Sequence, residues 1–370
     1  MSVPGHMDLI EVADVADLCR GSVFLATGGG GDPYVNQLLT EQALREFGPV
    51  RLAPVASLAD DDRVVPMGEV GAPTVSLEQL PVGDEPMRAL ARFEAFTGRA
   101  TTHLIPFEIG GANSVIPLIA AAARGLPVVD GDGMGRALPE AQMMTFAIEG
   151  VSPTPAVAVD YLGNTILLET RGAEDYERQI RALAVAMGGM IFTCEHAMSG
   201  IQARRAVVPG TLSFAVRIGR LLRERRGNAE ALLAPLAELF AATDYGVVWH
   251  LFTGKVTAMS VRTVGGFDVG EARIEALTGA GSMTIAIKNE YLLAERDGRV
   301  VASVPDLIMV VDAESGQPIN SERLRYGQRV TVIGVGCPPH YRSAAALRVV
   351  APRCFGFDID YQPLETLAGE

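Results

Sequence analysis

Between His103 and Thr145 the sequence HLIPFEIGGANSVIPLIAAAARGLPVVDGDGMGRALPEAQMMT carries two short apolar runs, each ending in carboxylates and glycines. The first, from His103 to Ile109, reads as a strand and runs into Glu108, Gly110, Gly111 and Asn113. The second, from Leu126 to Val129, reads as another strand and runs into Asp130, Asp132, Gly135 and Arg136. The segment between them, Ser114 to Arg124, predicts a helix, with Pro117 tolerable in its first turn. In such a strand–helix–strand unit both endings fall at the carboxyl edge of neighbouring strands, where open α/β sheets bind ligands.

The flanking sequence extends this pattern. Residues 8–20 have helical spacing. Val23 to Ala26 predicts a short strand that meets the run Thr27-Gly28-Gly29-Gly30-Gly31-Asp32-Pro33, and a helix then runs to about Phe47 with Pro33 in its first turn. Runs near 50–55 and 63–67 predict strands, 69–74 a loop, and 84–97 a helix. Pro139 is expected to start another helix with Glu140 in its first turn. A hairpin around Gly163-Asn164 spans 156–170, followed by a helix at 173–187, an apolar run at 190–193 and a loop from Cys194 to Gly200. Helices are expected at 211–225 and 229–241. This alternation predicts an α/β amino-terminal domain with a mostly parallel or mixed sheet.

After Asp244 the texture changes. Segments at 247–252, 254–261, 283–288, 291–295, 300–304, 307–312 and 329–335 are short, rich in β-branched residues and punctuated by Gly, Asp and Pro. They predict a β-rich barrel- or sandwich-like carboxy-terminal domain. The expected division is 1–243 for the α/β domain carrying the site and 244–370 for the β-rich domain, with about 347–370 returning to the first.

Composition narrows the class. The chain has 370 residues, long for one core, and 48 % of them are apolar, enough for a substantial interior. A net charge of −13 argues against a nucleic-acid partner, which requires clustered Lys and Arg. The basic cluster Arg220 to Arg226 ends a predicted helix, where cations suit the macrodipole. No stretch of about 18 apolar residues occurs, so no membrane partner is expected. An acidic amino terminus without a signal-peptide pattern, and scattered Cys19, Cys194, Cys337 and Cys354, lead us to expect a cytoplasmic protein. A homo-oligomer is also expected.

Several residues are candidates for chemistry. The backbone N–H groups of Gly28, Gly29, Gly30 and Gly31 suit an anion or a developing oxyanion, although a tight turn explains the glycines as well. The run has neither the P-loop nor the dinucleotide spacing, so a nucleotide-dependent enzyme loses support. Asp130 and Asp132, two apart in extended chain, project to the same side. With Glu108 they repel one another unless a cation or protons compensate. A divalent metal, possibly zinc, is one resolution, with Asp130, Asp132, His196 and His340 as its ligands. Alternatively one acid caps the turn and another pairs with Arg136. Arg136 is a candidate for a substrate carboxylate, and Asn113 and Gln202 for neutral hydrogen bonds to substrate. His6 is read as terminal and without a role, His103 as structural, and His250, beside Trp249, as packed in a strand. The chain has no Gly-x-Ser-x-Gly elbow and no His-Glu-x-x-His helix.

These motifs taken together resemble a known family. Thr27-Gly-Gly-Gly-Gly-Asp-Pro33, Gly71-Ala-Pro-Thr-Val75, Glu108-Ile-Gly-Gly-Ala-Asn113 and Val129-Asp-Gly-Asp-Gly-Met-Gly-Arg-Ala137 with Pro139-Glu140 are similar to the S-methyl thiohydantoin desulfurase family. The likeness continues through Pro209-Gly-Thr-Leu-Ser213 and Pro352-Arg-Cys-Phe-Gly-Phe-Asp-Ile-Asp-Tyr361. The resemblance implies a two-domain hydrolase acting on a five-membered cyclic ureide, converting an S-methyl thiohydantoin to a hydantoin and methanethiol. Asp130 and Asp132 are then expected as metal ligands or general base, Glu108 as the acid or an acceptor for a ring N–H, and Asn113 with Gly28–Gly31 as groups that orient the ring. Because family members often sit beside or are fused to hydantoinase-type proteins, the resemblance also implies a hydantoinase-type partner. A non-catalytic accessory subunit of such a partner is the alternative function.

Overall fold

The computed structural model describes residues 5–71, 75, 80–225 and 227–367. In chain order the first part contains β1 (Leu9–Ile10), α1 (Val12–Leu25), α2 (Tyr34–Phe47), β2 (Val50–Pro54), β3 (Arg63–Gly71), α3 (Glu85–Thr97), β4 (His103–Pro106), α4 (Ile116–Arg124), β5 (Val128–Asp132) and α5 (Thr145–Ile148). It continues with β6 (Ala156–Val159), β7 (Thr165–Leu168), α6 (Ala173–Ala186), β8 (Met190–Cys194), β9 (Met198–Ser199), α7 (Gly200–Ala206), β10 (Val208–Pro209), α8 (Thr211–Glu224) and α9 (Ala229–Ala241). These strands form one mixed sheet in the order β1-β2-β5-β4-β3-β8-β6-β7, with β9 on β3 and β10 on β5. Its centre, β2-β5-β4-β3, is parallel. The endings of β4 and β5 therefore lie side by side at one edge, as the spacing around His103–Thr145 predicts.

The boundaries of α4 follow from local chemistry. Pro117 stands in its first turn, where its missing N–H costs nothing, and Gly125 (φ 64°) terminates it in the left-handed region. Packing between α1 and α8 is close enough to require glycine: a Cβ on Gly21 would sit 1.8 Å from the carbonyl of Ala215.

Four expectations change. Val23 to Ala26 is not a strand; Val23 to Leu25 form the last turn of α1, because the buried face of Val15, Leu18, Ser22 and Leu25 continues at helical spacing. The glycine run thus joins two helices. Pro139 does not open a helix. Ala141–Met143 form a 3-10 turn before α5, pinned by the Ala141 N–H on Glu177 Oε2 (2.9 Å) and the Thr145 N–H on the Gly133 carbonyl (2.7 Å). Glu69, Val70 and Gly71 are not loop but the end of β3, held by pairing with β8; residues 72–74 of the expected loop, and of the Gly71–Val75 motif, lie outside the described residues. His103–Ile109 is a strand only to Pro106, after which the chain turns into the site.

The second part contains β11 (Val248–Val264), β12 (Phe267–Ala276), β13 (Ser282–Lys288), β14 (Glu290–Arg296), β15 (Arg299–Ser303), β16 (Leu307–Asp312), β17 (Arg329–Val335), α10 (Ala344–Val350) and α11 (Leu364–Leu367). Its strands form an antiparallel sheet, β15-β14-β13-β12-β11-β17-β16, curled as a half-barrel around a core that includes Val256, Ile274, Ile285, Val310 and Val332. The runs at 247–252 and 254–261 are one long strand. The expected strand list omits β12, whose charged outward residues mask its alternating Asp268, Ala272 and Ile274. After β17 Tyr341 donates to the Met143 carbonyl of the first part (2.9 Å), while the Leu364 N–H donates to Asp306 Oδ2 of the second (2.7 Å). Among the described residues no helix is long and apolar enough to cross a membrane.

Candidate functional site

The turn after β4, the end of β3, helix α6 and the corner between β13 and β14 line a pocket that opens to solvent. Its wall carries six carboxyls, Glu69, Glu108, Glu140, Glu177, Glu195 and Glu290, among apolar side chains such as Phe107, Met134, Ile180 and Met190.

Glu108 is 6 % exposed, and its Oε1 accepts from Asn113 Nδ2 at 2.8 Å. Asn113 is itself aimed by β3, whose Glu69 N–H donates to Asn113 Oδ1 at 2.7 Å. Burial pushes Glu108 up to about 8, against the Asn113 hydrogen bond and with help from the neighbouring charge of Asp132. Glu69 lines this pocket and an adjoining one, with Asn36 Nδ2 3.4 Å from its Oε2, and burial of its carboxyl pushes it up to about 7.

Glu290 enters from the second sheet. Asn289 (φ 59°) makes the sharp corner between β13 and β14, held by the Asp268 N–H on Asn289 Oδ1 at 2.9 Å and the Asn289 N–H on the Asp268 carbonyl at 2.8 Å. Glu290 follows, 2 % exposed, with Oε2 lacking a hydrogen-bond partner among the described residues. Burial drives this carboxyl well above the usual carboxylate range; Glu108 reinforces the shift and the Arg136 charge opposes it.

Deeper in the wall, fully buried Glu195 accepts from Tyr176 Oη and from Thr193 Oγ1 (3.2 Å), and His196 Nδ1 lies 3.2 Å from its other oxygen. At the rim Glu177 pairs with Arg181 (2.8 Å) and Glu140 with Lys288. Both cations lie 4.4 Å from the centroid of the Phe267 ring, Arg181 from α6 and Lys288 from β13.

The structure brings together some of the expected residues and separates others. Glu108, Asn113, Gly30 and Gly31 share the cavity. Asp130, Asp132, Arg136, Gly28, Gly29, Gln202, His196 and His340 do not line it. Asp130 faces the start of α8, accepting from the Ser213 N–H (3.0 Å) and Oγ (2.7 Å), with His6 Nδ1 at 2.7 Å. His6, expected to have no role, thus holds Asp130. Asp132 staples the turn: its Oδ2 accepts from the N–H groups of Ile109 (2.8 Å), Met134 (2.9 Å) and Gly135 (2.8 Å), while its Oδ1 has no hydrogen-bond partner among the described residues. Burial nevertheless pushes it up to about 7.

Arg136 is fully buried and spent on protein acceptors: the carbonyls of Ala137, Pro305 and Asp306 and the hydroxyl of Thr27, all within 3.0 Å. It locks the two parts together rather than holding a substrate carboxylate. Gln202 forms a capping box with Ser199 at the start of α7 (2.9 and 3.2 Å), far from the wall. The spacing Ser199-x-x-Gln202 is a signal from which this could have been read.

Gly28 and Gly29 serve close packing. A Cβ on Gly28 would meet the Tyr291 ring at 2.6 Å, and one on Gly29 would meet Glu290 Oε1 at 2.1 Å. The run bridges both parts, since its Thr27 carbonyl accepts from the Tyr291 N–H (2.7 Å) and its Gly30 carbonyl from the Ala112 N–H (2.8 Å).

The expected metal ligands are dispersed. Asp130 and Asp132 are bonded as above, His196 lies between the rings of Phe146 and Tyr176, and His340 lines a separate crevice with Tyr245 and Pro338. Among the described residues no three His, Cys, Asp or Glu side chains converge as a metal would require, so these four do not fit one ion.

The expected site residues did not include Glu69, Glu195 and Glu290, nor Arg181 and Lys288 at the rim. For Glu290 a signal existed: Lys288-Asn289-Glu290 places Asn, which tolerates the left-handed region, between two apolar alternating runs. For Glu69 the neighbouring glycines conceal the strand.

Two family models span most of the chain: the S-Me-THD-like N-terminal domain matches residues 13–170, and the S-Me-THD-like C-terminal domain matches residues 171–364. A crystal structure of a protein from Chromobacterium violaceum superposes with a TM-score of 0.80 at 26 % identity, covering 96 % of this chain and 99 % of that one. No curated protein matches.

Proposed function

Because the chain belongs to the S-Me-THD-like family, we propose that it is a desulfurase-type hydrolase that converts an S-methyl thiohydantoin to the hydantoin and methanethiol. The observation that carries this reading is that Glu69 and Glu108 line one pocket, with Asn113 tying the Glu69 main chain to the Glu108 carboxyl, and that both carboxyls are raised by burial, to about 7 and about 8. An acid and a base that exchange protons near neutral pH are what hydrolysis of an amidine-like carbon needs.

In this mechanism ionised Glu69 takes a proton from water as the oxygen adds to the ring carbon bearing sulfur, and protonated Glu108 donates to the adjacent ring nitrogen. The neutral tetrahedral adduct collapses as Glu108 recovers a proton from the new hydroxyl and the carbonyl forms. The carbon–sulfur bond breaks, and methanethiolate leaves with the proton held by Glu69. Both carboxyls return to their starting states, and one water is consumed per thiol released. Asn113 keeps the Glu108 carboxyl oriented throughout. No step is routed through a metal, because the expected ligands do not assemble.

The test is thiol release from S-methyl thiohydantoins by the purified protein. The expected result is turnover with a bell-shaped kcat/KM whose limbs belong to the pair and lie near the values of Glu69 and Glu108, about 7 and about 8. Absence of thiol release across a panel of ring substituents would remove the reading.

A further inference from the structure

We infer that the cavity selects a ring substituent bearing a positive charge, an alkylammonium or guanidinium, and that Glu290 is the residue that receives it. This deepens, and rests on, the ring-binding reading above.

The first support is geometric. Glu290 is 2 % exposed, lines the cavity and has an oxygen without a partner among the described residues. A buried acceptor left open in this way costs stability unless a ligand fills it. Its position is built rather than incidental: the Asn289 corner fixes its backbone, and Gly29 leaves the room its carboxyl occupies.

The second support is the charge balance of the wall. Arg181 and Lys288 are already paired with Glu177 and Glu140. Behind the wall Arg136 is consumed by carbonyls and a hydroxyl. That leaves Glu69, Glu108 and Glu290 lining one pocket without a direct ion-pair partner among the described residues, with Arg136 and Lys288 acting on Glu290 only from a distance. Burial is the main cause of the upward push on Glu69, Glu108 and Glu290, and neighbouring carboxylates add to it. A ligand cation would relieve it, and a ligand carboxylate would worsen it. Arg136, expected from sequence to hold such a carboxylate, is sealed away from the cavity.

The experiment measures binding of product-type rings to the full chain at pH 7 by calorimetry and thermal shift. The probes are 5-(4-aminobutyl)hydantoin, 5-butylhydantoin, 5-(2-carboxyethyl)hydantoin and ring-free butylamine. The aminobutyl ring should bind roughly ten- to hundredfold more tightly than the butyl ring, the worth of one charge-assisted hydrogen bond, and the carboxyethyl ring most weakly. In Glu290→Gln the preference for the amine should collapse while 5-butylhydantoin binds as before, which also reports that the variant is folded. Equal or tighter binding of the carboxyethyl ring, or an amine preference that survives Glu290→Gln, would overturn the inference and leave the ring reading intact. Conversely, if no hydantoin binds but butylamine stabilises the native protein and not Glu290→Gln, the cation site stands and the ring reading falls. If no probe binds, both fall.

Discussion

Asp132 and Glu108 stand at the ends of adjacent parallel strands, both buried and both acidic, yet their surroundings differ in kind. Three backbone N–H groups converge on one oxygen of Asp132. Glu108 receives one side-chain amide on Oε1, and its carboxyl borders a cavity. The same contrast separates Asp130, held by Ser213 and His6, from Glu290, whose Oε2 is open. Asp132 and Asp130 spend an oxygen on several donors that fix the chain around them, whereas Glu108 and Glu290 line the pocket with fewer donors. Sequence spacing groups Glu108, Asp130 and Asp132 as one constellation, and the structure divides them by donor count.

The sharpest way to break that division is a matched pair of variants. Glu108→Gln should lower kcat for thiol release by about 10²–10⁴, the usual worth of a general acid, with folding intact. Asp132→Asn should instead cost about 2–4 kcal/mol of stability, because a neutral amide oxygen accepts the three N–H groups more weakly than a carboxylate oxygen and its NH2 gains no acceptor where Oδ1 stands. Denaturant unfolding and steady-state kinetics on both variants check this. A stable, inactive Asp132→Asn would erase the distinction. Arg136→Met extends the test to the junction: the carbonyls of Pro305 and Asp306 lose their buried donor, and about 3 kcal/mol should be lost.

The strand–helix–strand unit was legible because its apolar runs, Pro117 and Gly125 each have a local reading, and β11 to β17 mostly announced themselves by β-branched alternation. The site was legible in part. Glu108 and Asn113 lie close in sequence, so their neighbourhood is local. Glu69, Glu195 and Glu290 come from three distant segments, and only the antiparallel pairing of β8 on β3 and the docking of the Asn289 corner against Gly28-Gly29 unite them. No periodicity encodes such a meeting. Arg136 misled for a related reason: its acceptors, the carbonyls at 305 and 306, are main-chain atoms that any sequence supplies. His6 misled because proximity to the terminus says nothing of what the terminus packs against.

A weaker effect sharpens the comparison through pH. Folded Glu108 holds its proton to about 8, whereas an unfolded Glu releases it near about 4.3. Its contribution is therefore fully present below the unfolded value and is lost as pH rises through the folded one. Glu69 and Asp132, raised to about 7, act in the same direction. The melting temperature should fall between pH 6 and pH 9, and Glu108→Gln should flatten the upper part of that fall and gain about 2–4 °C on the native protein at pH 9. A melting temperature that rises over this range would mean that the cavity already contains compensating positive charge.

The smallest expected effect falls on Gln202, expected from sequence to bind substrate. Its amide oxygen accepts from the Ser199 N–H while its own N–H reaches Ser199 Oγ, so each partner satisfies a donor that the first turn of α7 would otherwise leave free. Gln202→Ala removes one of these two bonds and leaves the other, so the loss should be about 0.5–1 kcal/mol with kcat and KM unchanged. Gln202→Glu retains an acceptor at the same reach and adds a charge favoured at a helix start, so it should restore the stability. Only a residue acting through the helix end behaves this way; a residue touching substrate would lose kcat or KM in both variants, and rescue by Glu would fail.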